Sequence, residues 1–116
     1  MKMPTELQTA FDREWKLARE RRLDGEFEAA FAHLERAHIL GQRYTWPHLQ
    51  SHAAMWLVGW KRRDTRELLG QLPRLLAALV FSRIWVPAGN TGGSNVSALK
   101  PMPIPADLRQ ILDSVS

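Results

Sequence analysis

The apolar residues of this chain recur at helical spacing in four blocks, and the breaks between blocks are only a few residues long. Leu7, Phe11, Trp15 and Ala18 share one stripe, which predicts a helix from about Thr5 to Leu23. Thr5 is the expected N-cap, with Glu6 in the first turn. Asp24-Gly25 stops that helix, since glycine accepts the left-handed conformation that a helix C-terminus often needs. A second helix is expected from about Glu26 to Leu40, with Phe27, Ala30, Phe31, Leu34 and Ala37 on its apolar side and Gly41 ending it. Helices joined by so short a turn lie antiparallel, as a hairpin.

The pattern then repeats. Thr45-Trp46-Pro47 opens a third helix, because proline is tolerated near the first helical position. Leu49, Ala53, Trp56, Leu57 and Trp60 fill its apolar side, and it ends near Arg62-Arg63. Asp64 starts a fourth helix running to about Trp85, in which Pro73 is expected to make a kink or a split near Gly70. Residues 86–100 read as a loop, Pro101, Pro103 and Pro105 force an extended path, and a short helix follows to about Leu112. The fold class is therefore all-α: four main helices in two antiparallel hairpins, a long Gly/Pro loop and a short C-terminal helix. One domain is expected over 1–116, with the bundle at 1–85 and a wrapping segment at 86–116.

Composition narrows the function classes. The chain has no cysteine, which excludes disulfides, zinc–thiolate sites and thiol nucleophiles. Sixteen Lys and Arg against twelve Asp and Glu give +4, compatible with an anionic partner without requiring one. Arg19, Arg21 and Arg22 close the first helix and Lys61, Arg62 and Arg63 the third, where cations complement the macrodipole. No reading motif accompanies them, so a nucleic-acid partner is not expected. The most apolar stretch, Leu68 to Ala88, is broken by Pro73, Arg74 and Arg83 and is not expected to span a membrane. Met1 to Ala10 has no apolar signal region, and a cytoplasmic protein is expected. No Gly-x-Ser-x-Gly elbow occurs, and the balance leans away from an enzyme.

The histidines carry the most specific chemistry. His48 and His52 stand four apart, one turn from each other on one face of the third helix, a spacing that lets two imidazoles share one metal ion. His38 falls in the last turn of the second helix, and antiparallel packing brings that turn to the end of the bundle where His48 lies. Glu35 precedes His38 by three residues on nearly the same face. Glu35, His38, His48 and His52 are thus the candidate metal ligands, a nitrogen and oxygen set suited to zinc, nickel, copper or iron. The competing reading makes these histidines structural, capping carbonyls or packing beside aromatics. His33 points elsewhere around its helix and is left out, and a di-iron centre is discounted because no second Glu-x-x-His exists. The loop residues Asn90, Thr91, Gly92, Gly93 and Asn95 arrive over the same end, as a cover or as donors to an anion.

Two resemblances add to this. Asp24-Gly25-Glu26-Phe27-Glu28-Ala29-Ala30, followed by Phe31, Leu34 and Ala37, resembles the second half of a tetratricopeptide helix pair, and Asp64 to Leu69 echoes its entry. That likeness implies a helical groove holding a partner peptide or another subunit. The chain as a whole resembles a small bacterial family described only as a domain of unknown function. Leu34 to His38, Ile39 to Gln42, His48 and His52, Gly89-Asn90-Thr91-Gly92-Gly93 and Pro101-Met102-Pro103-Ile104-Pro105 carry the likeness. It implies the company of heavy-metal-resistance genes and assigns no role to any residue. Two functions stand side by side: a protein that binds a metal ion through the histidines, or an interaction module without metal.

Overall fold

A computed structural model describes residues 2–115 and, among them, shows five helices and no strand. Helix α1 spans Thr5–Leu23, α2 Phe27–Gly41, α3 Thr45–Lys61, α4 Thr65–Phe81 and α5 Ala106–Ser114. α1 packs on α2 and α3 on α4 as two hairpins, α2 meets α3 between them, and α5 lies against α1 and α2.

Both hairpin turns use one device. After α1, Gly25 adopts φ 76°, its amide donates to Arg22 O and the Glu26 amide reaches back to Arg21 O at 2.9 Å. After α3, Arg63 adopts φ 56°, its amide donates to Trp60 O and the Asp64 amide reaches Gly59 O at 2.8 Å. This is the Schellman closure in both cases, and the second hairpin makes it without a glycine at the left-handed position. The Asp64 carboxylate then caps α4 by accepting from the Glu67 amide. α1 differs slightly from expectation: Pro4, not Thr5, is its N-cap, and no side chain caps it. α4 runs through Pro73 without dividing. Pro73 lies on the exposed side of the helix, where the carbonyl that loses its backbone bond is not enclosed by the core.

Two apolar clusters hold the first hairpin. Met3, Leu7, Phe11, Ala37, Ile39, Leu40 and Leu108 form one, with Ile104 of the proline segment packed on it. Ala18, Ala30, Phe31, Leu34, Met55 and Val58 form the other, joining α1 and α2 to α3. Large side chains buried this fully contribute about 1.5–3 kcal/mol each. A polar bond network also ties the first hairpin to α5. Buried Glu14 accepts from Arg36 Nε at 2.8 Å and pairs with His33 Nδ1 at 2.8 Å, and Arg36 continues to Asp107.

The second hairpin is built differently. The buried residues of α4 are Glu67, Gln71 and Ala78, and Ser82 follows at its C-cap. Facing them from α2 and α3 are His38, His48, Ser51 and His52, all buried. The space between the hairpins is thus filled mainly by polar side chains.

Candidate functional site

His38 stands in the last turn of α2, His48 in the first turn of α3 and His52 one turn further. The turn between α2 and α3 is short, so these turns face each other. The Nε2 atom of His38 lies 3.0 Å from that of His48 and 3.2 Å from that of His52, and the last two are 3.1 Å apart. Three ring nitrogens form a nearly equilateral triangle at the centre of the polar layer.

The outer nitrogens decide which atoms carry protons. His38 Nδ1 lies 2.8 Å from the carbonyl oxygen of Asn90, which can only accept, so Nδ1 carries hydrogen. His52 Nδ1 lies 2.6 Å from Gln71 Oε1. The Gln71 amide cannot be turned over, because its nitrogen donates to Glu67 Oε2 at 2.8 Å and to the Gly92 carbonyl at 2.9 Å, both pure acceptors. His52 Nδ1 therefore also donates. His48 Nδ1 is 2.9 Å from Ser82 Oγ, whose own hydrogen goes to the Ala78 carbonyl. All three neutral rings are fixed in the tautomer whose Nε2 bears a lone pair. Three acceptors then face one another with no hydrogen between them, an arrangement that a bound cation would relieve.

Protonation is the other way to relieve it, and the surroundings oppose that. Burial drives His38 well below the ordinary histidine range, and its two neighbours push it further the same way. Burial lowers His48 to about 3, with His52 adding to the effect. Burial likewise brings His52 to about 4, against the opposing pull of its bond to Gln71. At neutral pH the rings are uncharged, the form that binds metals.

The loop after α4 covers the triangle. The Asn90 side chain ties it together: Nδ2 donates to the carbonyls of Ser97 and Lys100, both at 2.7 Å, and Oδ1 accepts from the Gly92 amide at 2.9 Å. Gly92, at φ 86°, lies flat on the His38 ring, where a Cβ would fall 2.7 Å from the ring carbon Cδ2. The Ser94 amide donates to Glu67 Oε1 at 2.9 Å. The amides of Asn90, Gly92, Ser94 and Val96 are thus all given to internal acceptors and are not free for an anion. Gly93 packs by Phe31 and the Asn95 side chain, and Thr91 lies toward Glu35. The proline segment is anchored where the Met102 amide donates to the Ala88 carbonyl.

Of the four candidate ligands, the structure brings together His38, His48 and His52. Among the described residues their ligand atoms form the group lying within 4.8 Å of one another, and Glu35 is outside it. Glu35 sits half-buried toward Thr91, Glu67 and Arg62, with its carboxyl raised above its ordinary range chiefly by burial. It is the ninth of the 15 residues of α2, and its three-residue offset from His38 turns it off the histidine line. Sequence reasoning missed Glu67, Gln71 and Ser82, whose 4-residue and 11-residue spacings place them on one face of α4.

One side of the triangle opens to a cavity of about 370 Å³. Its walls include the three histidines, Arg74, Phe81, Trp85, Pro87 and Leu99. Arg74 donates to the carbonyls of Gly70 and Val96, both at 2.8 Å, pinning the loop to α4. No described helix is long and apolar enough to cross a membrane.

Comparison with known proteins places the chain in a family. It belongs to the family described as "Protein of unknown function (DUF3703)", which matches residues 5–112. No curated protein and no solved structure matches it.

Proposed function

We propose that this member of the DUF3703 family binds one transition-metal ion through Nε2 of His38, His48 and His52. The observation that carries the reading is the convergence of three lone pairs whose opposite nitrogens are each held by a specific acceptor. Imidazole ligands bind zinc at about 2.0–2.1 Å. An ion at that distance from three nitrogens about 3.1 Å apart stands roughly 1 Å out of their plane, with N–metal–N angles of about 100°. The spacing therefore fits a facial three-histidine site with further positions turned toward the cavity. An all-nitrogen donor set suits zinc, nickel, copper or iron. Glu35 takes no part in this set, and the Asn90–Asn95 loop acts as a cover that holds His38.

Handling of the ion fits better than turnover. Among the described residues lining the cavity there is no carboxylate to act as a base, and Arg74 is the group that carries a charge at neutral pH. The company of heavy-metal-resistance genes implied by the family resemblance points the same way, in a protein of the cytoplasm.

The test is metal content of untagged protein by mass spectrometry, then titration of zinc, nickel, copper and iron into wild type and His48→Ala/His52→Ala. Stoichiometric binding tighter than about 1 μM that vanishes in the variant is expected. Equal weak binding by both would overturn the reading.

A second reading rests on a separate observation. An apolar groove of about 540 Å³ runs along α1 and α3, lined by Trp15, Trp46, Leu49 and Leu57 with Arg19 and Arg22 at its edge. It suits a tetratricopeptide-like module that seats a short peptide with apolar side chains and an acidic end. Titration of such a peptide into wild type and Arg19→Glu/Arg22→Glu tests it, and equal affinity for both would remove it.

A further inference from the structure

Helix α4 is built inside out. Its inward line is Glu67, Gln71, Ala78 and then Ser82, of which Gln71 and Ser82 bond His52 and His48. At about 100° per residue, Leu69 and Leu76 fall nearly opposite Ala78, with Leu72, Leu79 and Val80 beside them. The exposures of these five are 67%, 64%, 54%, 58% and 52%, and Ile84 beyond the helix is 75% exposed. A helix normally turns such a stripe to the core. Here the core side is taken by the polar groups of the site, and the leucines face outward.

The patch is too large for an isolated surface. Together with Phe81 and Trp85 these side chains expose roughly 900 Å², against a few hundred Å² for the usual largest patch on a monomer. A stable interface needs about 800 Å² per partner. The outer face of α4 and the turn after it supply that area, so a second copy can supply the other half.

The pattern is self-complementary. Leu69, Leu72, Leu76 and Leu79 follow a 3-4-3 spacing, the seam of helices that pair along their length. If two α4 helices cross antiparallel with Leu76 on the axis, Leu72 meets Val80 of the other copy, and exposed Arg83 stands at each end of the seam opposite Leu69. Between Arg66 and Arg83 the charged residues of α4 are Glu67 and Arg74, and both point inward, Arg74 to the Gly70 and Val96 carbonyls. A helix that lies on anionic lipid instead carries Lys and Arg along the flanks of its apolar face. Charge thus favours a second copy over a membrane surface.

We propose that two copies of this chain pair through the outer face of α4 about a two-fold axis near Leu76. Phe81 and Trp85 belong both to this surface and to the wall of the cavity over the histidines. Pairing therefore narrows the mouth of that cavity and screens the site from water. The dimer stands on the apolar face alone and does not depend on metal.

The experiment uses the full chain, which has no native cysteine. Light scattering on a sizing column gives its mass, and Leu76→Cys is treated with a short thiol crosslinker beside Gln110→Cys, on a helix that packs on α1 and α2. A dimer at about 10 μM, crosslinking at residue 76 but not at 110, and a monomer for Leu72→Glu/Leu76→Glu with unchanged helical circular dichroism are expected. The double substitution should weaken pairing at least hundredfold. A wild-type monomer at about 100 μM would overturn the proposal, as would a dimer that survives both glutamates. Binding of the monomer to phosphatidylserine vesicles would overturn it in favour of a lipid surface.

Discussion

Gln71→Leu tests the tautomer argument on which the metal reading depends. Gln71 is fully buried, accepts from His52 Nδ1, donates to Glu67 Oε2 and the Gly92 carbonyl, and touches Met55 sulfur at 3.5 Å. Leucine has similar volume and no polar atom, so packing is kept while three groups lose their partner. Each buried group left unsatisfied costs about 1–3 kcal/mol, the carboxylate oxygen at the upper end. The three share one pocket and relax together, so the sum is less than additive, roughly 3–5 kcal/mol. Against a total stability of about 5–15 kcal/mol the apo protein stays folded near its margin, with Tm lower by about 12–20 °C. His52 also loses the acceptor that fixes its proton on Nδ1. Removal of such a support typically costs ten- to a hundredfold in metal affinity. Thermal unfolding of the apo protein and competition of cobalt against a chelator read the two effects separately. A variant with Tm within about 3 °C of wild type and affinity within threefold would refute the reasoning, since neither the orphaned groups nor the tautomer would then matter.

Other consequences can be checked as directly. Gly92→Ala places a methyl group on the His38 ring at a positive φ, so apo stability should fall by about 1–3 kcal/mol and cobalt affinity about tenfold, measured in the same two assays. Lowering the pH should destabilise the apo protein. With His48 near 3 and His52 near 4 when folded, against about 6.5 unfolded, the unfolded chain binds more protons below pH 6.5. Stability is complete above that value and falls as pH drops toward 4, by about 1.4 kcal/mol per pH unit per histidine, with raised Glu35 opposing only at the acid end. Denaturant melts at pH 7.5, 6.5 and 5.5 give the slope, and a flat profile contradicts the burial argument. Arg63→Gly should stabilise by about 0.5–1 kcal/mol in a urea melt, because the left-handed position after α3 is strained for a side chain. Glu14→Ala should cost about 1.5–3 kcal/mol by removing the acceptor of Arg36 Nε and the partner of His33, Arg36 keeping Asp107, while leaving cobalt affinity unchanged, which separates the α1–α2–α5 network from the site.

The helices were legible because their signals are local. Stripes such as Leu7, Phe11 and Trp15, and stops such as Asp24-Gly25, act within a few residues of themselves. The histidine triangle was legible for a related reason: the i, i+4 pair fixes two ligands on one helix, and a short turn fixes the third. Glu35 was not excluded by sequence, because a three-residue offset is compatible with either side of the ring it precedes. Gln71 and Ser82 were hidden by their helix. In α4 the leucines outnumber the polar residues, and a periodic stripe tells which residues share a face but not which face turns inward. Only the facing helix decides that, and α3 presents His48 and His52.

The polar layer is where the proposed metal ion would be coupled to the fold. In the first hairpin, apolar contacts fill the interior, and nothing there depends on a ligand. Between α2, α3 and α4 the interior is mainly donors and acceptors, and the meeting of three lone pairs at its centre is unfavourable. Metal binding removes that feature in the folded state alone, so saturating metal should raise stability by about 2.7 kcal/mol at a hundredfold excess over Kd. The gain must concentrate in α3, α4 and the 86–100 loop, since these contribute the groups around the triangle. Amide hydrogen exchange with and without cobalt distinguishes this from a general effect. Added protection confined to α3, α4, the last turn of α2 and the loop is expected. Equal protection of α1 and α5 would mean that the ion acts on the whole chain and that the polar layer is not where the coupling resides.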